Sequence, residues 1–214
     1  MNVEATKSDK GVLLTSIAAV YILPAILFGV RSFLPGNEMY DYVFTILGSL
    51  LMAAIALWAI TNDTVSFQEI GFTKKHLFQA VWIIGLGWAI WGLITTYNFR
   101  FPESDSPMDS LLRVLQQWLF VGMAEELFIR GYVLTKITKL FPGKGKFLSY
   151  SIGVILSSLI FATFHIPQRI MVRGMRLASE EYLWDVLNLF IGSLIFALVF
   201  LRTKNVILMG LAHG

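Results

Sequence analysis

Apolar residues in this chain come in long runs, not in the alternation of a half-buried strand or the three-to-four spacing of a surface helix. Residues 11–30, 42–62 and 77–99 contain no charged side chain. Each run matches the length of about 20 residues that a helix needs to cross a hydrocarbon core. Residues 147–168 form another, interrupted only by His165. Residues 186–201 are shorter but extend through Trp184 and Asp185, and residues 205–214 read as the beginning of one more. Residues 111–135 also read as a membrane helix, yet their interior carries Glu125, Glu126 and Arg130. The pattern predicts an all-α polytopic membrane helical bundle with six spans and the start of a seventh. It forms one domain over residues 1–214.

The polar positions between the runs predict the connectors. Residues 65–76, with Gly71 and Lys74-Lys75, suit an interfacial segment, and residues 100–109 an acidic loop. That loop leads into Ser106-Pro107-Met108-Asp109, a helix start. Ser106 caps, Pro107 suits the first turn and Asp109 completes a capping box. Phe141-Pro142-Gly143 ends the acid-bearing helix.

Composition agrees with this class. Hydrophobic residues make up 56% of the chain and charged residues 14%, against about 25% charged in an ordinary soluble domain. The net charge of +3 is spread over loops without a basic block, so the bilayer is the expected partner and nucleic acid is not. The absence of cysteine excludes disulfides and thiolate metal sites. Lys7 and Lys10 before the first run would also suit a signal peptide, but the run is long for one and no small-x-small site follows.

Lysine and arginine give an orientation. With the N-terminus inside, the inner ends hold Lys7, Lys10, Lys74, Lys75, Lys136, Lys139, Lys144, Lys146, Arg202 and Lys204. The outer ends hold Arg31, Arg100, Arg113, Arg169, Arg173 and Arg176. Positive charge concentrates on the cytoplasmic side, so a multi-pass protein of the bacterial cytoplasmic membrane with its N-terminus inside is expected.

Chemistry enters with the intramembrane charges. Each costs roughly 2.5–3.5 kcal/mol at mid-bilayer on insertion scales, which is hard to reconcile with simple packing. Glu126 and Arg130 stand four apart on one helix face and can neutralise each other. Glu125 lies about 100° around the helix and has no local partner. It either reaches another helix or stays protonated, and both states suit proton transfer. The bland alternative is a structural ion pair plus a neutral glutamic acid that ties helices together. His165 closes the apolar segment Phe161-Ala162-Thr163-Phe164-His165, and His213 lies in Met209-Gly210-Leu211-Ala212-His213-Gly214. Alone, each reads as a hydrogen-bonded core histidine. Yet two of only three histidines fall in membrane segments beside one acid pair.

Glu125-Glu126-Leu127-Phe128-Ile129-Arg130 resembles the EExxxR motif of the CAAX prenyl protease family, also called the CPBP or Abi family of intramembrane proteases. Phe161 through His165 resembles its FxxxH motif, and His213 resembles the histidine opening its HxxxN motif. The motifs run from about residue 106 to 214. The sequence ends one residue after His213, so the asparagine has no counterpart, and the chain reads as truncated.

The resemblance implies hydrolysis of peptide bonds in membrane or lipidated protein substrates. Its prenyl endopeptidases remove three residues after a lipidated cysteine. Carried over, Glu125 activates water with help from His165, His213 stabilises the oxyanion, and Glu126 and Arg130 orient the site, with Phe161 packed beside it. No cofactor is favoured. Zinc held by Glu125, His165 and His213 is the alternative, because a catalytic zinc needs three protein ligands plus water. Adjacent glutamates on one helix are poorly placed to chelate one ion. Other classes stay open: a bacteriocin-immunity or scaffold protein that keeps the motifs, and a proton- or cation-coupled transporter, though no repeated halves are seen.

Overall fold

The structure, a computed structural model, describes residues 7–34, 38–71, 82, 85–86, 116–141, 145–171 and 179–213. The expected span 77–99, the acidic loop and the capping box at Ser106 lie outside these residues. Among the described residues the fold is all-helical. Helix α1 is Lys7–Ser32 and α2 is Glu38–Thr61. The acid-bearing helix α3 covers residues 116–139, α4 is Lys146–Phe164 and α5 is Ile166–Met171. Helix α6 is Glu180–Thr203 and α7 is Val206–His213.

Among the described residues four helices are long and apolar enough to cross a membrane: Lys10–Ser32, Met39–Thr61, Lys146–Phe164 and Glu180–Thr203. Their outer faces carry large exposed apolar side chains such as Ile26, Leu50, Leu159 and Ile195, as lipid contact requires. Helix α3 is different. Its segment Leu127–Leu134 is buried on every side, so it forms the axis of the bundle. Helices α2, α4 and α7 pack around it, α1 packs on α2, and α6 packs on α4.

Two departures from the expected spans matter. Residues 147–168 are not one helix, because α4 ends at Phe164 and the chain turns at His165 into α5. Helix α6 starts at Glu180, six residues before the apolar run. Ser179 caps it by accepting a hydrogen bond from the Tyr182 N–H, and Glu180 and Glu181 suit the positive end of the helix dipole.

The α3 axis is also not a plain α-helix. Gln116–Gly122 and Leu127–Leu134 are π-helical, and Met123–Glu126 between them is α-helical. π-Helical turns are rare and cluster at functional sites. Here they bracket the two acids.

Lys136 departs most from expectation. It is 2% exposed and makes an ion pair with Asp63, so it is not a free charge at the membrane surface. Asp63 also accepts from the Tyr132 hydroxyl at 2.8 Å. Burial alone would raise the Asp63 carboxyl. Hydrogen bonds from Lys136, Tyr132 and the Thr64 N–H outweigh it and hold the group below its ordinary value. Beside it, Lys139 pairs with Glu69 at 2.6 Å and donates to the Thr64 carbonyl at 3.2 Å. The segment after α2 is thereby strapped across the end of α3, with Val65 and Ile70 buried beneath. It closes at Gly71, whose φ of +91° favours glycine, and a methyl there would stand 2.9 Å from the Val206 nitrogen.

Candidate active site

Three parts of the bundle deliver the site residues. Glu125, Glu126 and Arg130 come from the centre of α3, His165 from the turn after α4, and His213 from the end of α7. The structure brings these five together. His165 Nε2 lies 3.5 Å from Glu125 Oε1, and His213 Nε2 lies 3.1 Å from Glu125 Oε2. His213 Nδ1 lies 2.7 Å from Glu126 Oε1. Arg130 Nη1 lies 3.0 Å from the same Glu126 oxygen. Glu126 is fully buried and Arg130 is 1% exposed.

Local rules explain the orientations. The last carbonyls of a helix lack partners within it. The Phe161 carbonyl near the end of α4 is one of these, and His165 Nδ1 bonds it at 2.8 Å. A carbonyl only accepts, so Nδ1 carries a hydrogen and Nε2 is turned to Glu125. Glu126 and Arg130 meet along their own helix, while Glu125 points away to the two histidines. Phe161 fills the centre. Its ring lies 4.6 Å from the Arg130 guanidinium carbon and 4.8 and 5.5 Å from the His165 and His213 rings.

Glu125 also lies on the wall of an apolar cleft. Tyr21, Pro24 and Phe28 of α1, Gly48 and Met52 of α2, and Phe164 line the rest of it. The Tyr21 hydroxyl meets Thr163 of α4 beside His165, which ties the cleft wall to the site. Glu126 Oε2 and Arg130 Nε have no hydrogen-bond partner among the described residues. Buried polar atoms require partners, so these two suit a polar ligand or solvent.

Sequence reasoning missed three contributors. Ser193 of α6 holds Arg130 through its hydroxyl at 2.9 Å and its carbonyl at 3.4 Å. The signal for it was the small pair Gly192-Ser193 inside an otherwise bulky run. Phe196, one turn on, lies 5.7 Å from the Arg130 guanidinium carbon and 5.3 Å from the His213 ring; nothing in its apolar context marked it. Gly122, three residues before Glu125, is where α3 meets α7 most closely, with Gly210 opposite.

A family model described as type II CAAX prenyl endopeptidase Rce1-like matches residues 107–214, which hold all five of these titratable residues. No curated protein and no solved structure matches the chain.

Proposed function

This chain belongs to the Rce1-like family of type II CAAX prenyl endopeptidases, and from that premise we propose that it is an integral-membrane peptidase in which Glu125 activates water. The observation that carries the reading is the Glu125 carboxylate, held between two imidazoles at 3.5 and 3.1 Å on the wall of an apolar cleft. A base must stand within hydrogen-bond reach of the proton it takes, directly or through one water. The 3.5 Å gap to His165 is longer than a strong hydrogen bond and shortens when the two groups exchange a proton.

The steps follow from the geometry. Glu125 takes a proton from water as the oxygen adds to the substrate carbonyl carbon. The carbonyl oxygen becomes an oxyanion beside His213 Nε2, which donates to it. Glu126, anchored by Arg130, accepts from His213 Nδ1–H and so fixes which face of that ring meets the substrate. A preorganised donor of this kind contributes about 3–4 kcal/mol to the transition state. The C–N bond then breaks, and the proton held between Glu125 and His165 passes to the leaving amine. The substrate would be a membrane or lipidated protein whose apolar part lies in the cleft.

We take the reaction to proceed without metal. Both His213 nitrogens face carboxylate oxygens, and His165 Nδ1 is committed to a carbonyl.

We further propose six spans and the start of a seventh in one domain, with the N-terminus cytoplasmic. The Asp63–Lys136 pair and the Gln116–Tyr42 contact at 3.4 Å support the span count. They make α2 and α3 run in the same direction, as a returning span between them requires. The test is cleavage by the purified protein in detergent of a farnesylated peptide and of an unmodified transmembrane peptide, with Glu125→Gln as the blank. Cleavage of neither by folded protein would leave the non-catalytic reading in place.

A further inference from the structure

Most membrane serines and threonines among the described residues satisfy their hydroxyls on their own helix. Ser49 donates to the Thr45 carbonyl, Ser157 to Val154 and Thr203 to Val199. Ser193 does otherwise. Its hydroxyl oxygen, 2% exposed as a residue, accepts from Arg130 Nη2 at 2.9 Å, and its carbonyl accepts from the same nitrogen at 3.4 Å. Helix α6 contributes no titratable group to the site, yet it takes one end of the guanidinium.

We propose that Ser193 is a positioning residue that sets the place of His213 through Arg130 and Glu126. The path is continuous: Ser193 to Arg130 Nη2, Arg130 Nη1 to Glu126 Oε1 at 3.0 Å, and the same oxygen to His213 Nδ1 at 2.7 Å. A guanidinium is planar and rigid, so fixing one nitrogen fixes the direction of the other. Phe161 and Phe196 lie at 4.6 and 5.7 Å from its central carbon and oppose sideways movement, but neither stops rotation within its own plane. The Ser193 oxygens do. Without the hydroxyl, Arg130 is free to swing toward the lone carbonyl, drawing Glu126 off the imidazole. The inference rests on the proteolytic reading for its consequence in catalysis, but not for the contact itself.

The experiment uses the full chain labelled with ¹⁵N-histidine in detergent, where only three histidines contribute signals, together with cleavage of a farnesylated peptide. In Ser193→Ala the His213 ring signals should move while those of His76 stay in place. The turnover kcat should fall about tenfold to hundredfold, the range of one charge-assisted hydrogen bond, with KM unchanged. Ser193→Thr, which keeps an acceptor oxygen, should restore both. Should Ser193→Ala not fold, Ser193→Cys, of similar volume and a poor acceptor, carries the same expectations. Unmoved His213 signals with kcat within about twofold of the parent would overturn the proposal. So would a Ser193→Thr protein no better than Ser193→Ala. If the parent cleaves nothing, the proteolytic reading falls and the His213 signals alone decide the contact.

Discussion

Gly122 of α3 and Gly210 of α7 meet backbone to backbone: a methyl added at Gly122 would overlap the Gly210 carbonyl oxygen and stand 3.2 Å from His213 Cβ. Small residues let membrane helices approach this closely. Here the approach is what allows a histidine on a short helix to reach Glu126. Gly122→Ala should therefore displace α7 and its histidine together. A shift near 1 Å in a catalytic group costs up to about a hundredfold, so kcat/KM should fall far more than thermal stability does. Parallel cleavage assays and melting curves check this. An alanine protein with full activity would mean that the contact yields without moving His213.

Glu125→Gln should retain the fold and lose at least about a hundredfold in cleavage, since general-base catalysis contributes roughly 10²–10⁴-fold. Glutamine keeps the size and an acceptor oxygen but cannot take the proton. Cleavage near the parent rate would remove Glu125 from the mechanism.

The Glu126–Arg130 pair is fully buried, so removing one partner strands the other. Arg130→Met should lower stability by about 3–5 kcal/mol, the range for a broken buried pair. The exchanged protein, Glu126→Arg with Arg130→Glu, should regain much of that stability without activity, because position 126 no longer offers His213 a carboxylate. Recovery of activity with folding would reduce the pair to simple neutralisation.

Chelators should leave cleavage intact, and added zinc should not raise it. Loss of activity on stripping with recovery on zinc would reinstate a metal held by Glu125 and the histidines.

The strap after α2 gives a pH prediction. Asp63 titrates below its ordinary value of 3.8 in the folded state. A carboxyl depressed by folding stabilises the fold above its unfolded value and stops doing so as pH falls through the folded one. The Asp63 contribution should therefore be constant across neutral pH and drain away only below about pH 4. Asp63→Asn should be less stable than the parent at pH 7 and converge with it in acid. A constant difference across that range would show that the carboxylate charge is not what Lys136 and Tyr132 hold.

What the sequence made legible was mostly local. The apolar runs located α1, α2, α4 and α6. The four-residue spacing of Glu126 and Arg130 predicted their pairing, and the missing local partner of Glu125 predicted that it would look outward. What stayed hidden depends on distant parts of the chain. Lys136 near a helix end reads as a surface anchor, and its burial is made tolerable by Asp63, 73 residues earlier, with Thr64 beside it. Ser193 stayed unremarked because its partner lies on another helix. The π-helical turns were invisible because in a segment buried on every side no polar face marks the period.

Those turns set how α3 tolerates length change. A π-helical turn holds one residue more than an α-helical turn, closing its hydrogen bonds five residues back instead of four. Deleting a residue between Leu127 and Ile129 would let the segment relax to ordinary α geometry, and the bundle axis would stay continuous. Arg130 would then stand three residues after Glu126, a spacing that still sets the two side chains on one helix face. The π-helical turns are thus slack in the gearing: one residue can be lost there, and the arginine still meshes with the acid.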